Sequence, residues 1–466
     1  MVAVSTPRTF SIRTFGCQMN EHDSERLAGM LVADGLVPAS EEAEADVIVL
    51  NTCTIRENAD LKLYSALGHL KALKRARPEL QIAVGGCMAQ RARGEILERA
   101  AWVDVVFGTH NLASAPALLE RARHEGPVVE VFDAPDPEAS RDMAPALYAV
   151  RELAWAAWMT IQTGCDNTCA YCIVPAVRGA EISRPLEDLV AEARQLAGSG
   201  VTEITVLGQN VNSYGRDITG RGPLFAELLR RLGDVEGIER IRFTSPHPKD
   251  LRPETIAAMA ETPTVCPQLH LPLQSGSDRV LRSMRRGYTA TRYFERLDAA
   301  REAVPDLHVS TDLIVGFPGE TDAEFEETLD VVARANYDSA YLFNFSPRVG
   351  TRAATMTNAF VATEVVKERF LRLKDVADRS ALRQHAAREG RREEVLVEGL
   401  SKRDERMLSG RTRQGKLIHF PVTEERLRPG SLVMVDVVHG APYHLMGELA
   451  SVLRAPRHKV RVPLRS

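Results

Sequence analysis

The sequence predicts an α/β protein in three parts: an N-terminal parallel sheet covered by helices, a partial, open (β/α)6 barrel, and a small C-terminal antiparallel β-barrel of the OB-like, oligonucleotide-binding kind. Three observations predict it. From Phe10 to Phe345, short apolar runs alternate with amphipathic helical patterns, as parallel strands covered on both faces require. The Pro- and acid-rich stretch Asp133–Pro145 interrupts them without periodicity of its own. After a charged helical stretch, Ala362 to Ala387, the pattern changes to short strands split by Gly, Pro and charge. The expected divisions are residues 1–145, 146–383 and 384–455, with a basic tail over 456–466.

In the first part, Phe10–Phe15, Asp46–Asn51, Gln81–Val84 and Asp104–Phe107 read as strands. Glu21–Ala33 and the leucine pattern Leu61, Leu63, Leu67, Leu70 and Leu73 read as helices. Cys17 follows the first strand, Cys53 the second and Cys87 the third. Ligands of open parallel sheets bind just beyond the carboxyl ends of strands, so the three thiols should gather on one edge. Gly16, Gly85 and Gly86 permit tight turns where a bulky group approaches the backbone. Three thiols at the same structural position point to an iron–sulfur cluster.

The second part opens with the strand Ala157–Gln162, which delivers Cys165, Cys169 and Cys172 in the run Thr163-Gly-Cys-Asp-Asn-Thr-Cys-Ala-Tyr-Cys172. With 7 Cys in 466 residues, this C-x3-C-x-x-C spacing arises by chance roughly 0.002 times per chain. A helix follows, expected to be capped by Ser183 with Pro185 in its first turn. Strands are expected at Glu203–Leu207, Arg240–Thr244, Gln268–Leu273, His308–Val315 and Ser339–Phe345. Helices at Leu224–Leu232, Pro253–Ala260, Asp278–Met284, Thr291–Ala303 and Asp322–Ala335 separate them. Six strand-helix units are too few for a closed eight-stranded barrel, and function should sit at the carboxyl ends of the strands. Gly208-Gln-Asn210, Thr244-Ser-Pro-His247, Gln274-Ser-Gly276 and Gly316-Phe-Pro-Gly-Glu320 fall there.

In the third part, Glu394–Glu398, Arg406–Gly410, Leu417–Phe420, Leu432–Val438 and His444–Leu449 read as the strands of the small barrel. Net charge is −4 overall, yet residues 384–466 hold 16 Lys and Arg against 10 Asp and Glu, leaving −10 on the rest. This asymmetry points to a nucleic-acid contact at the C-terminal end. The turn Arg411-Thr-Arg-Gln-Gly-Lys416 is the candidate for the RNA backbone.

No apolar run approaches a membrane span, and Met1–Ser11 lacks the apolar core of a secretory signal. Seven cysteines in so long a chain make no disulfide framework, and the expected compartment is the reducing cytoplasm.

Closed electron-transfer clusters normally take four cysteines; three leave one iron open to a small molecule. S-adenosylmethionine can chelate such an iron through its amino and carboxylate groups. Tyr171, just before the last triad cysteine, is placed to stack on its adenine. The chain resembles the tRNA methylthiotransferase family of radical S-adenosylmethionine enzymes. The matching motifs are Thr14–Asn20, Asn51–Thr54, Gly85–Cys87, Cys165–Cys172 with Pro175, Arg178-Gly179, Ser183-Arg-Pro185, Gly208-Gln209-Asn210, Gln274–Ser277 and Asp312–Glu320. The C-terminal part is similar to that family's TRAM domain.

The resemblance implies two 4Fe-4S clusters. Cys165, Cys169 and Cys172 would hold the radical-generating one, and Cys17, Cys53 and Cys87 an auxiliary one for sulfur delivery. It implies S-adenosylmethionine as methyl donor and radical source, with Gly208, Gln209 and Asp312 among its contacts. It also implies a tRNA anticodon stem-loop as substrate, an electron donor such as flavodoxin or ferredoxin, a sulfur source, and a monomeric enzyme without membrane attachment. The chain departs from the G-x-I-x-G-x-x-E pattern of many radical S-adenosylmethionine enzymes: Asp312 replaces its first Gly, and Gly319 stands at the Glu position, one residue before Glu320. Ile55–Asp60, Val211–Gly215, Ser245–Pro248 and Gly410–Arg413 resemble the branch acting on isopentenylated adenosine at position 37. The other branches act on threonylcarbamoylated adenosine in tRNA or on a ribosomal-protein aspartate, and the non-enzymatic alternative is an iron–sulfur RNA-binding protein. Cys266 reads as a structural thiol.

Overall fold

The computed structural model describes residues 7–54, 57–134 and 150–458. Most of the Asp133–Pro145 linker, the end of the basic tail and Ile55-Arg56 lie outside the described residues.

The first part is a six-stranded parallel sheet in the order β2-β1-β3-β4-β5-β6. Its strands are β1 (Thr9–Phe15), β2 (Val37–Pro38), β3 (Val47–Thr52), β4 (Gln81–Gly86), β5 (Val105–Phe107) and β6 (Val128–Glu130). The four expected strands are joined by β2 and β6, edge strands too short to leave an apolar run in the sequence. Helices α1 (Gln18–Ala33) and α5 (Ala115–Glu125) cover one face around Leu27, Leu31 and Leu119. Helices α2 (Glu57–Ala76), α3 (Cys87–Ala92) and α4 (Glu95–Arg99) cover the other around Leu63, Leu67 and Ile96. Because both faces are covered, β3 and β4 are buried along their whole length.

The second part contains six parallel strands in two sheets, β11-β10-β7 and β12-β13-β14, joined by the bridge Ile241↔Val265. They are β7 (Ala156–Thr160), β10 (Glu203–Leu207), β11 (Arg240–Phe243), β12 (Gln268–His270), β13 (His308–Val315) and β14 (Ser339–Asn344). The expected strand over 157–162 stops at Thr160; Gln162–Thr163 forms β8, paired antiparallel with β9 (Ile182–Ser183). Ser183 does not cap the next helix. Its Oγ accepts the Gly215 N–H at 2.9 Å, and α7 (Leu186–Gly198) begins after Pro185. The short helix α6 (Val174–Arg178) lies between β8 and β9. The outer layer comprises α8 (Arg216–Thr219), α9 (Phe225–Gly233), α10 (Pro253–Glu261), α11 (Asp278–Ser283), α12 (Ala290–Ala303), α13 (Asp322–Ala335) and α14 (Thr363–Ala386).

The third part is a closed barrel in the order β15-β16-β17-β19-β18. Its strands are β15 (Arg392–Leu400), β16 (Met407–Thr412), β17 (Leu417–Pro421), β18 (Leu432–Ala441) and β19 (His444–Arg454). Every pair is antiparallel except β17·β19, which is parallel and closes the barrel. Val395, Phe420, Val433 and Val435 fill it.

The turn Arg411–Lys416 does not stand free for RNA. It covers the amino-terminal ends of the six-strand barrel. Arg240 and Arg242, on β11, donate to the carbonyls of Arg411 at 3.0 Å, Thr412 at 3.0 Å and Arg413 at 2.9 Å. Lys416 is only 2% exposed, its Nζ 2.5 Å from Asp338, just before β14. Arg411 pairs with Glu398 at 2.9 Å, and Arg413 donates to the Pro263 carbonyl. The sequence shows a cationic turn; folding uses Lys416 and Arg413 to hold two parts together and pairs Arg411 within the small barrel. Lys416→Met leaves Asp338 buried without its ammonium partner, and breaking a buried pair costs about 3–5 kcal/mol. Chemical unfolding should show a loss of that size, whereas Lys402→Met on the exposed surface of the small barrel should leave stability within about 0.5 kcal/mol.

Candidate functional site

Cys165, Cys169 and Cys172 occupy the loop after β8, at the carboxyl ends of the barrel strands. Gly164 makes the entry possible: its φ is +72°, and a Cβ there would lie 1.9 Å from the Ala180 carbonyl oxygen. The Cys165 N–H donates to the Gly179 carbonyl at 3.1 Å, and the Cys172 N–H to the Cys169 carbonyl at 3.1 Å. These bonds turn the loop about an open cavity of about 410 Å³, walled by the three thiols, Ala180, Thr351 and Arg352. Arg286, fully enclosed, donates from Nη1 to Cys169 Sγ at 3.4 Å. Burial pushes the Cys165 thiol up to about 11 and Cys172 up to about 12 in the iron-free chain. A bound metal must supply the charge that makes them thiolates.

A second trio lies in the N-terminal sheet. Phe15, Thr52 and Gly86 are in register on the neighbouring strands β1, β3 and β4. Cys53 and Cys87 come directly after this row, and Cys17 one residue later than that. β1 and β3 flank the point where the sheet's winding reverses, the usual ligand position in such sheets. A Cβ on Gly16 would meet Cys53 Cβ at 2.8 Å, so only glycine admits this approach. Cys17 differs from the other thiols: a hydrogen bond from Cys53 brings it down to about 6, against the effect of burial and with help from Arg178. Among the described residues no three His, Cys, Asp or Glu side chains converge on a single metal ion. A cube with one iron per thiolate suits a more widely spaced trio.

The two trios are neighbours. Cys87 packs against Ile173 and Val177 of the segment that follows Cys172. At the end of that segment Arg178, 5% exposed, reaches back to Asp23 of α1 with Nη2–Oδ2 at 2.7 Å. One residue before Asp23, His22 Nδ1 lies 2.7 Å from Thr160 Oγ1; burial pushes this imidazole down to about 3, so it joins the parts as a neutral group.

The remaining sequence candidates separate. Gly208 and Gln209 follow β10, with Gly208 so close to Gln162 that a Cβ would meet its side chain at 3.0 Å. Tyr171 packs among Ala170, Met284 and Phe317. Asp312 faces the barrel lumen, 3.3 Å from His270 Nε2, while His270 Nδ1 lies 2.9 Å from Ser310 Oγ. Glu320 is a loop fastener: its carboxylate accepts the Gly316 N–H at 2.9 Å and pairs with Arg369 at 2.9 Å. Cys266 is buried and belongs to neither trio.

Sequence reasoning assigned no role to Arg178, Arg286 or the aromatic face of β14. Ala340 and Leu342 pack on the core, whereas Tyr341 and Phe343 are exposed on the opposite face, and Tyr341 stands edge-on to His270 at 5.9 Å. The alternation of aromatics at 341, 343 and 345 was the available signal.

Comparisons with known proteins agree with this geometry. Residues 159–332 match the model of the Radical SAM superfamily, and residues 9–108 match that of an uncharacterized protein family, UPF0004. A tRNA-2-methylthio-N(6)-dimethylallyladenosine synthase of Thermobifida fusca is 51% identical over 450 residues, covering 96% of this chain and 90% of its own. One from Mycolicibacterium smegmatis is 49% identical over 463 residues, covering 97% and 89%. The chain belongs to the tRNA-2-methylthio-N(6)-dimethylallyladenosine synthase family. A radical S-adenosylmethionine methyltransferase from Kitasatospora setae, TsrM, solved with cobalamin and a 4Fe-4S cluster, superimposes with TM-score 0.52 at 13% identity, covering 75% of this chain and 77% of that one. That likeness extends to the fold.

In this member of the synthase family, the unlike thiols give a direct measurement. Near neutral pH, iron-free protein should be alkylated by iodoacetamide at Cys17 well before Cys165 or Cys172, as peptide mass spectrometry reads. Arg178→Gln should slow alkylation of Cys17 by removing the cation beside its thiolate.

Proposed function

We infer that this chain is a radical S-adenosylmethionine methylthiotransferase that converts N6-isopentenyladenosine at position 37 of tRNA to its 2-methylthio form. The observation that carries the reading is the juxtaposition of two cysteine trios across one short helix. Cys165, Cys169 and Cys172 are proposed to hold the radical-generating 4Fe-4S cluster, and Cys17, Cys53 and Cys87 the auxiliary one. Bound at the first trio, cluster and S-adenosylmethionine together supply the electron and the 5′-deoxyadenosyl radical, and a second S-adenosylmethionine supplies the methyl group.

The chain's own residues do the rest. The 410 Å³ cavity beside the triad receives the cofactor; Tyr171, Gly208, Gln209 and Asp312, which lie outside its walls, are proposed as further cofactor contacts. Arg286 holds a positive charge against Cys169 Sγ, where it would offset the negative charge of a bound cluster. Arg178 does the same beside Cys17 and Cys87. Tyr341 and Phe343 offer exposed rings to the target base, and His270 with Asp312 offers polar partners beside them. An electron donor such as flavodoxin or ferredoxin, a sulfur source, a TRAM-type role for the small barrel, and action as a monomer in the cytoplasm complete the reading. No helix among the described residues is long and apolar enough to cross a membrane.

In anaerobically reconstituted protein reduced with dithionite, Cys165→Ala should abolish 5′-deoxyadenosine while keeping roughly half the iron. Cys53→Ala should still release deoxyadenosine but form no methylthio product; product formation at the wild-type rate would refute the two-cluster assignment. Mass spectrometry of tRNA nucleosides from cells lacking the protein decides the substrate, since unchanged methylthiolated isopentenyladenosine would exclude it. Tyr341→Ala should weaken binding of the stem-loop about tenfold, from a stacking contribution of about 1–3 kcal/mol per base.

A further inference from the structure

We propose that Arg282, Arg285 and Arg292 form a clamp for RNA backbone phosphates beside the cofactor cavity. The inference rests on the reading of the substrate as tRNA and adds where its backbone is held. The three guanidiniums line a cavity of about 600 Å³ together with Thr168, Thr289 and Tyr288. Thr168 belongs to the triad loop and lines the cofactor cavity as well, so the two spaces share a wall.

Three observations favour phosphate. First, these arginines are exposed, and none makes an ion pair or side-chain hydrogen bond among the described residues. Several other exposed arginines are engaged: Arg230 with Glu261, Arg372 with Glu326, Arg392 with Asp436 and Arg411 with Glu398. The acid in this cavity, Asp278, spends its Oδ1 on the Ala290 N–H at 2.7 Å. Planar guanidinium forks match phosphate oxygens two at a time, and unpaired cations need break no bond to do so.

Second, the backbone sorts the cations. Arg285 (φ +56°) and Gly287 (φ +72°) adopt left-handed conformations on either side of Arg286. Arg285 is thereby turned out to the cavity, while Arg286 is turned in to Cys169. A phosphate on Arg285 would lie one residue from the guanidinium that touches the triad.

Third, the chain needs a local site. The excess of positive charge lies in residues 384–466, whereas residues 1–383, which hold the cofactor cavity, carry −10, so no broad positive field of their own draws RNA in. Of the cations in the Arg411–Lys416 turn, Arg413 and Lys416 are committed to the junction between the two barrels, and Arg411 pairs with Glu398 inside the small barrel.

The test uses full-length reconstituted protein and a synthetic anticodon stem-loop carrying isopentenyladenosine, with binding followed by fluorescence anisotropy across a series of KCl concentrations. Each lost phosphate contact should lower the slope of log K against log salt by about 0.7–0.9. The combined variant Arg282→Gln, Arg285→Gln, Arg292→Gln should therefore lower it by about 2–3 and weaken binding at least about tenfold at low salt. An unchanged slope and affinity would overturn the proposal. So would transfer of the whole effect to the comparison variant Lys402→Gln, Arg403→Gln, Arg426→Gln, which would place phosphate recognition on the small barrel. Thermal unfolding and iron content report whether the combined variant folds. If it does not, Arg292→Glu alone, in the first turn of α12, must weaken binding and flatten the slope, and wild-type binding by that variant rejects the clamp. A wild-type chain that binds no stem-loop fails the functional reading itself, before any arginine is changed.

Discussion

The arrangement of the site depends on one ion pair, Asp23 with Arg178 at 2.7 Å. Asp23 lies on the helix that leaves Cys17, and Arg178 ends the helix that follows Cys172. Joining them fixes the angle at which the N-terminal sheet presents its thiols to the barrel. The pair is nearly dehydrated, so its geometry must be exact enough to offset the loss of water from both groups. His22 and Thr160 make the adjoining contact without charge, and the Cys87–Ile173–Val177 cluster seals the gap with apolar surface. A junction of charge, neutral hydrogen bond and packing resists sliding in more than one direction.

Each trio receives a guanidinium held in place by other partners. Arg286 is bound by Tyr288 at 3.1 Å and Pro272 at 3.3 Å before it reaches Cys169. Arg178 is bound by Asp23 before it reaches Cys87. A cation fixed by surrounding structure can favour a nearby thiolate or sulfide without reorganising as charge changes there. The two arginines thus serve similar ends on unrelated strand systems, one approached from the triad loop and one from the turn after α11.

Much of the fold was legible in the sequence, because buried parallel strands leave continuous apolar runs. The placement of six cysteines was legible for the same reason: strand ends can be located, and Cys17, Cys53, Cys87 and the 165–172 triad follow them. Arg178 and Arg286 were not, because their partners lie 155 and 117 residues away in the chain. Lys416 was misplaced because a charged turn in a sequence looks alike whether it meets water or a buried aspartate. The edge strands β2 and β6 were missed because two or three residues cannot establish a period. Ser183 was read as a helix cap from residue type alone, whereas the fold uses its oxygen for the Gly215 N–H.

The carbonyls of Arg411, Thr412 and Arg413 are what Arg240 and Arg242 grip, and carbonyls are common to every residue type. That grip does not depend on which side chains stand at 411, 412 and 413, whereas Lys416 and Gln414 are held through their own side chains, on Asp338 and Asp306. Removal of the small barrel is another matter, for it would strand two buried guanidiniums and Asp338 at once. The barrel is the foundation under the catalytic core, inherited with it or lost with it.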